Sequence, residues 1–212
     1  MALASMRLAT ADGQSLDAQL ARPEDRARTA VVVAHPHPQH GGDMHNPVVD
    51  SLYQTLPDSG HAVLRFSFRG VGRSTGTYDN GRGEVLDVLA ALDGLAAAMP
   101  AGTPLILAGY SFGSMMVLAV DDERVAGWAA IAPPLLAMDA TKIAPVTADP
   151  RPKLVLAPDR DHFTPVDVAR TTVGAWTSAT FETIPGADHF LAGSTTTVAE
   201  RVARFCALLA IT

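Results

Sequence analysis

The stretch Leu105-Ile106-Leu107-Ala108-Gly109-Tyr110-Ser111-Phe112-Gly113 constrains this chain more than any other. It reads as an apolar strand ending in Gly-x-Ser-x-Gly. A second apolar run, Met115 to Val120, follows at once. The order is strand, abrupt turn, helix. Gly109 and Gly113 have no Cβ, so the chain can turn where a larger residue would collide. Such a turn pushes the Ser111 side chain out at the strand end. The helix that begins there aims free backbone N–H groups and a positive dipole end at the same place. One turn therefore supplies a hydroxyl nucleophile and an anion-stabilising site. The bland alternative is a Gly-Ser-Gly loop without chemistry; the flanking strand and helix argue against it.

The rest of the chain supplies the context such a turn needs. Met6 to Thr10 and Leu16 to Ala21 read as two short strands joined at the Asp12-Gly13 turn. Ala30 to Ala34 is apolar throughout, as a strand buried on both faces would be. Further strands are predicted at Ala62 to Phe68, Pro104 to Ala108, Val125 to Ala132, Lys153 to Ala157 and Thr180 to Ile184. Helices are predicted at Pro47 to Leu56, capped by Asn46, and at Glu84 to Met99, Pro165 to Ala175 and Thr195 to Ala210. Strands alternating with helices predict an α/β fold, a mostly parallel sheet of about eight strands with helices on both faces. The 212 residues suit one domain over 1–212, since no repeat, linker or low-complexity tract divides them.

In such a sheet the functional groups gather at the carboxyl ends of the strands. A serine needs a base, and the base needs an orienting acid. The loop after Ala157 contains Asp159, Asp161 and His162, and the loop after Ile184 contains Asp188 and His189. The chain order Ser, Asp, His with strand-end placement predicts a serine hydrolase using Ser111, an aspartate of the first loop, and His189. Asp159 competes with Asp161, and reads as a turn residue bonding its own backbone. His162 competes with His189, and its position before a helix is explained by capping or exposure.

Over nearly its whole length the sequence resembles the α/β-hydrolase superfamily, in particular a small bacterial branch of predicted hydrolases near the dienelactone hydrolases. The resemblance is carried by His35-Pro36-His37-Pro38 with Gly41-Gly42, by Arg65 to Ser74, and by Gly109 to Gly113. It implies that the backbone N–H groups of His37 and Phe112 form the oxyanion hole, although Pro36 stands where the superfamily has glycine. It implies Asp161 as the acid, because that residue lies four before Pro165. Dienelactone hydrolases proper use a cysteine nucleophile, and this chain has Ser111. The activity implied is a carboxylesterase needing no cofactor and no metal, acting on a small-molecule ester; a serine peptidase or acyl-CoA thioesterase would use the same triad.

Other readings compete with this one. His35-x-His37-x-Gln39-His40 resembles the ligand run of zinc metallo-β-lactamase-type hydrolases, but Gln39 stands where an acid is required. His35 would otherwise pack beneath the site. Gly70-Val71-Gly72-Arg73-Ser74-Thr75-Gly76 suggests a dinucleotide fingerprint, yet Tyr78 to Gly81 delays the helix that pyrophosphate needs. Arg69 and Arg73 are then loop-structuring residues, or contacts to an acidic substrate group. A hydrolase fold used only as a binding module would show a damaged triad. The net charge of −6, with no basic stripe, argues against nucleic acid and anionic membrane as partners. No signal peptide or apolar span is read, so the cytoplasm is expected. The single cysteine, Cys206, is expected in the core. Finally, Pro133 to Pro152 carries five prolines, which leaves room for at most one short helix near Leu135 to Lys142 rather than a multi-helix lid. The expectation is an open, shallow site for short acyl esters.

Overall fold

The computed structural model describes residues 2–210. Its strands are β1 (Ala2–Ala9), β2 (Ser15–Arg22), β3 (Ala30–Ala34), β4 (Ala62–Phe66), β5 (Leu105–Tyr110), β6 (Val125–Ile131), β7 (Lys153–Pro158) and β8 (Ala179–Ile184). Its helices are α1 (Pro47–Asp58), α2 (Arg82–Ala98), α3 (Phe112–Leu118), α4 (Ala140–Ala148), α5 (Val166–Gly174) and α6 (Thr195–Leu209). The strands form one sheet in the order β1-β2-β4-β3-β5-β6-β7-β8. β1 and β2 pair antiparallel, as do β2 and β4; every later pair is parallel. The mostly parallel sheet with helices on both faces is the architecture the sequence predicts.

Alternation along the central strands explains their unbroken apolar sequences. Val32, Leu64 and Leu107 enter the core beneath α2 and α3, whereas Val31, Val33, Val63 and Ile106 enter the core beneath α1 and α6. Successive side chains of a strand point to opposite faces, so a sheet covered twice needs no polar face. Cys206 lies in the α1–α6 core and is fully buried, as expected, and burial pushes its thiol up to about 12.

Several boundaries differ from expectation, β1 among them because it begins at Ala2, and three of the differences have a local reason. β4 stops at Phe66, because the Phe68 N–H leaves the ladder and donates to His35 Nε2 at 3.0 Å. β5 runs on through Tyr110, delivering Ser111 directly from the strand. The helix expected near Leu135 to Lys142 is split: Leu135–Ala137 form one 3-10 turn, and α4 begins only at Ala140. Asp139 is the cap, its carboxylate accepting from Thr141 N at 3.0 Å, and the helix carries Pro145 internally.

The two arginines after β4 are structural. Arg69 is buried, pairing with Asp87 on one side and with Asp12 on the other, each at 2.8 Å. A Cβ on Gly83 would stand 2.0 Å from Arg69 Nη1, so the α2 start is fitted around this guanidinium. Arg73 pairs with Asp17 at 2.9 Å.

Two buried imidazoles make the fold acid-sensitive. His35 and His61 are both fully buried, and burial pushes each down from 6.5 to about 4. His61 Nδ1 meets Thr29 Oγ1 at 2.9 Å, while its Nε2 has no hydrogen-bond partner among the described residues. The unfolded chain binds a proton on each near 6.5, and the folded chain only near 4. Their contribution is therefore intact above pH 6.5 and is lost as pH falls towards 4, by roughly 3 kcal/mol for each histidine. We expect urea-unfolding free energies to decline through that window, and His61→Gln to remove about half of the histidine-dependent slope. An unaltered slope would mean that His61 takes up a proton while folded.

Candidate active site

The carboxyl end of β5 builds the nucleophile turn. Ser111 has φ 52° and ψ −115°, a left-handed strained conformation for a residue with a side chain. Its N–H donates to Ile131 O at 2.9 Å, which ties the turn to the neighbouring strand. A Cβ on Gly109 would stand 2.3 Å from the Gly113 carbonyl, and a Cβ on Gly113 would stand 2.2 Å from Ala34 O. Both glycines are thus required by close backbone approach. α3 starts immediately, leaving the Phe112 N–H without an intrahelical acceptor.

The sheet brings the two other candidates to this turn. His189 Nε2 lies 2.9 Å from Ser111 Oγ, and His189 Nδ1 lies 2.8 Å from Asp161 Oδ2. A carboxylate only accepts, so Nδ1 carries the hydrogen and Nε2 is free to accept from the serine. Asp161 and His189 are buried, and Ser111 is half-buried. Burial opposes the charge on Asp161, but the hydrogen bond from His189 and the N–H groups of Phe163 and Thr164 outweigh it. The carboxyl is held below its ordinary value.

The rival residues are placed elsewhere. Asp159 is exposed, and its N–H donates to Ile184 O; the turn-bonding role expected of its side chain belongs instead to Asp161 Oδ1. His162 is exposed and lies against Phe163, with ring centroids 4.4 Å apart.

His37 sits on the loop after β3, opposite α3. Its carbonyl accepts from His40 N and Gly42 N, and a Cβ on Gly42 would stand 2.1 Å from Pro36 O. The loop is therefore folded tightly on itself. The His37 ring accepts from Gln39 N at Nδ1, and its Nε2 lies 3.3 Å from Tyr78 Oη. Among the described residues, neither the His37 N–H nor the Phe112 N–H meets an acceptor. In the same histidine run, His35 has both ring nitrogens engaged by the protein, Nδ1 by Pro36 O at 2.6 Å and Nε2 by Phe68 N. A buried imidazole so committed has no lone pair to offer a metal.

Sequence reasoning missed two features. Tyr110 Oη donates to His189 O at 2.8 Å, and burial, aided by Asp161 and Asp188, pushes this phenol up to about 12, so it stays a neutral donor. It anchors the His189 backbone. The second feature is a cavity of about 810 Å³ that opens at Ser111 and continues along α3 towards α4. Its lining runs from α3 to α4, because α4 stands beside α3 despite the prolines. Phe112, Met115, Met116 and Ala119 recur at helical spacing and could have signalled it.

The family model described as "Alpha/beta hydrolase domain" matches residues 27–207. A solved alpha-beta serine hydrolase homologue from Coxiella burnetii is 32% identical, with 95% of this chain and 96% of that chain covered and a TM-score of 0.85. A protein of Xanthomonas campestris, described as an a/b serine hydrolase without lid, is 28% identical over 96% of this chain and 93% of its own, with a TM-score of 0.84. An uncharacterized protein of Rickettsia prowazekii is 36% identical over 167 residues, which are 75% of this chain and 70% of that one.

Proposed function

The chain belongs to the alpha/beta hydrolase domain family, and from that premise we propose that it is a serine carboxylesterase acting on small-molecule esters. The observation that carries the reading is the continuous line Asp161–His189–Ser111, with links of 2.8 and 2.9 Å ending on a strained serine at a helix start. His189 Nε2 takes the Ser111 proton as Oγ attacks the ester carbonyl. Asp161 holds the tautomer and stabilises the imidazolium. The N–H groups of His37 and Phe112 receive the oxyanion. Collapse breaks the ester C–O bond, and His189 gives its proton to the departing alcohol. Water then attacks the acyl-enzyme with His189 again as base, releasing the acid and restoring Ser111.

An ester is favoured over a peptide because the cavity walls beyond Ser111 are largely apolar, and an extended peptide backbone would leave its polar groups there unpaired. No helix among the described residues is long and apolar enough to cross a membrane, so the enzyme is proposed to act on dissolved substrate.

Fluorophosphonate labelling after prolonged chelation tests the serine and the zinc readings together. The probe needs an activated serine and no metal. The expected result is one adduct per chain, mapped to Ser111 and abolished by prior heat denaturation. Labelling that disappears with chelation and returns with zinc would favour the metal reading, and absence of labelling under both conditions would favour a binding module.

A further inference from the structure

The cavity lining contains two apolar groups, and one of them packs against His189. That group is Phe163 and Phe190, both exposed, with ring centroids 4.3 and 6.0 Å from the His189 ring. The other follows one face of α3, formed by Phe112, Met115, Met116 and Ala119. Val85 of α2 and Ile143 of α4 close it from across the gap.

The chemistry assigns the two groups. The atom that leaves must receive its proton from His189 Nε2, so the alcohol lies on the side of Phe163 and Phe190. The oxyanion faces the N–H groups at the start of α3. The remaining substituent of the tetrahedral carbon is the acyl chain, and the space left for it is the channel along α3. From Ser111 to Ala119 the helical rise spans roughly 12 Å, enough for an acyl chain of about eight carbons. The two methionines give this channel adaptable walls, since unbranched thioethers change rotamer at little cost. The Met116 methyl also lies against Gly81, where an added Cβ would approach it to 3.1 Å.

We propose that the channel along α3 is an acyl-chain site and that the substrate class is esters of medium-chain fatty acids, in place of the short acyl esters that the proline-rich segment suggests. This rests on the serine-esterase reading given above. Burying one methylene completely is worth about fourfold in affinity. With half of that realised, the six methylenes between acetate and octanoate would raise kcat/KM about sixtyfold.

The test is a series of p-nitrophenyl esters from acetate to dodecanoate, beside a series of acetate esters of alcohols of increasing length. The expected result is a maximum near octanoate in the acyl series and a flat alcohol series. Ala119→Phe, which fills the channel end, should lower the octanoate-to-acetate ratio at least tenfold; Ile143→Phe does so from the opposite wall if the first variant folds poorly. A maximum at acetate or butyrate in the wild type, a rise in the alcohol series instead, or an unchanged ratio in a folded variant overturns the acyl-chain site while the esterase reading stands. No turnover of any ester overturns both.

Discussion

Ser111→Ala should reduce kcat for ester hydrolysis by about 10⁶-fold, the loss measured when the nucleophile of another serine enzyme is removed. The size of the effect follows from how completely this site depends on one oxygen. Ser111 is held at φ 52° by a turn whose two glycines admit no Cβ, so no neighbouring side chain can take its place. Ser114, one turn along α3, is buried and its hydroxyl donates to the Ser111 carbonyl, so it faces away from the cavity. Removing one oxygen from a half-buried position leaves the fold untouched, and the variant should unfold at the wild-type urea midpoint. The proposed oxyanion donors, the N–H groups of His37 and Phe112, remain and should support a residual rate of 10³- to 10⁴-fold over water, as such sites do without their triad. A clean preparation of Ser111→Ala that retained turnover within tenfold of the wild type would show that the nucleophile lies elsewhere.

The parts of this site legible in the sequence are those that depend on chain order and steric necessity. Gly109 and Gly113 announce the turn because close approach excludes every other residue, and that exclusion acts over four positions of sequence. The aspartate and histidine loops are legible because a parallel sheet collects its strand ends on one edge, whatever the packing between them. Choosing Asp161 over Asp159 needed the resemblance to a family, since both acids occupy the same loop and no local pattern separates them.

What was not legible depends on tertiary fit. Arg69 is fixed by Asp12, which lies in the turn before β2, and by Asp87, which lies one turn inside α2; neither pairing has a sequence signature. The end of β4 is decided by His35, which captures the Phe68 N–H from the end of the neighbouring strand β3. At the start of α4 two local signals oppose each other: Asp139-Ala140-Thr141 is a capping sequence, whereas Pro145 interrupts the helical pattern that follows.

Asp161→Asn should lower kcat by about 10⁴-fold, the loss seen when the corresponding acid of a serine protease is changed to the amide. The amide keeps the size of the carboxylate and can still accept from Phe163 N and Thr164 N through its oxygen, so the loop should hold. Its NH₂ group then faces His189 Nδ1 and donates where the carboxylate accepted. The imidazole must offer a lone pair to that donor, which moves its hydrogen to Nε2. His189 then meets Ser111 Oγ with a hydrogen instead of a lone pair and cannot take the serine proton. The loss should shrink at high pH as hydroxide removes the need for a general base, a readout that simple loop damage would not reproduce. Asp159→Asn is the control for the neighbouring acid. That side chain is exposed, and it is the backbone N–H of this residue that bonds, to Ile184 O. Its replacement should change kcat less than tenfold and leave the pH profile in place. The reverse ranking of the two variants would mean that the acid touching His189 in solution is Asp159, and that the loop after β7 closes differently around the base.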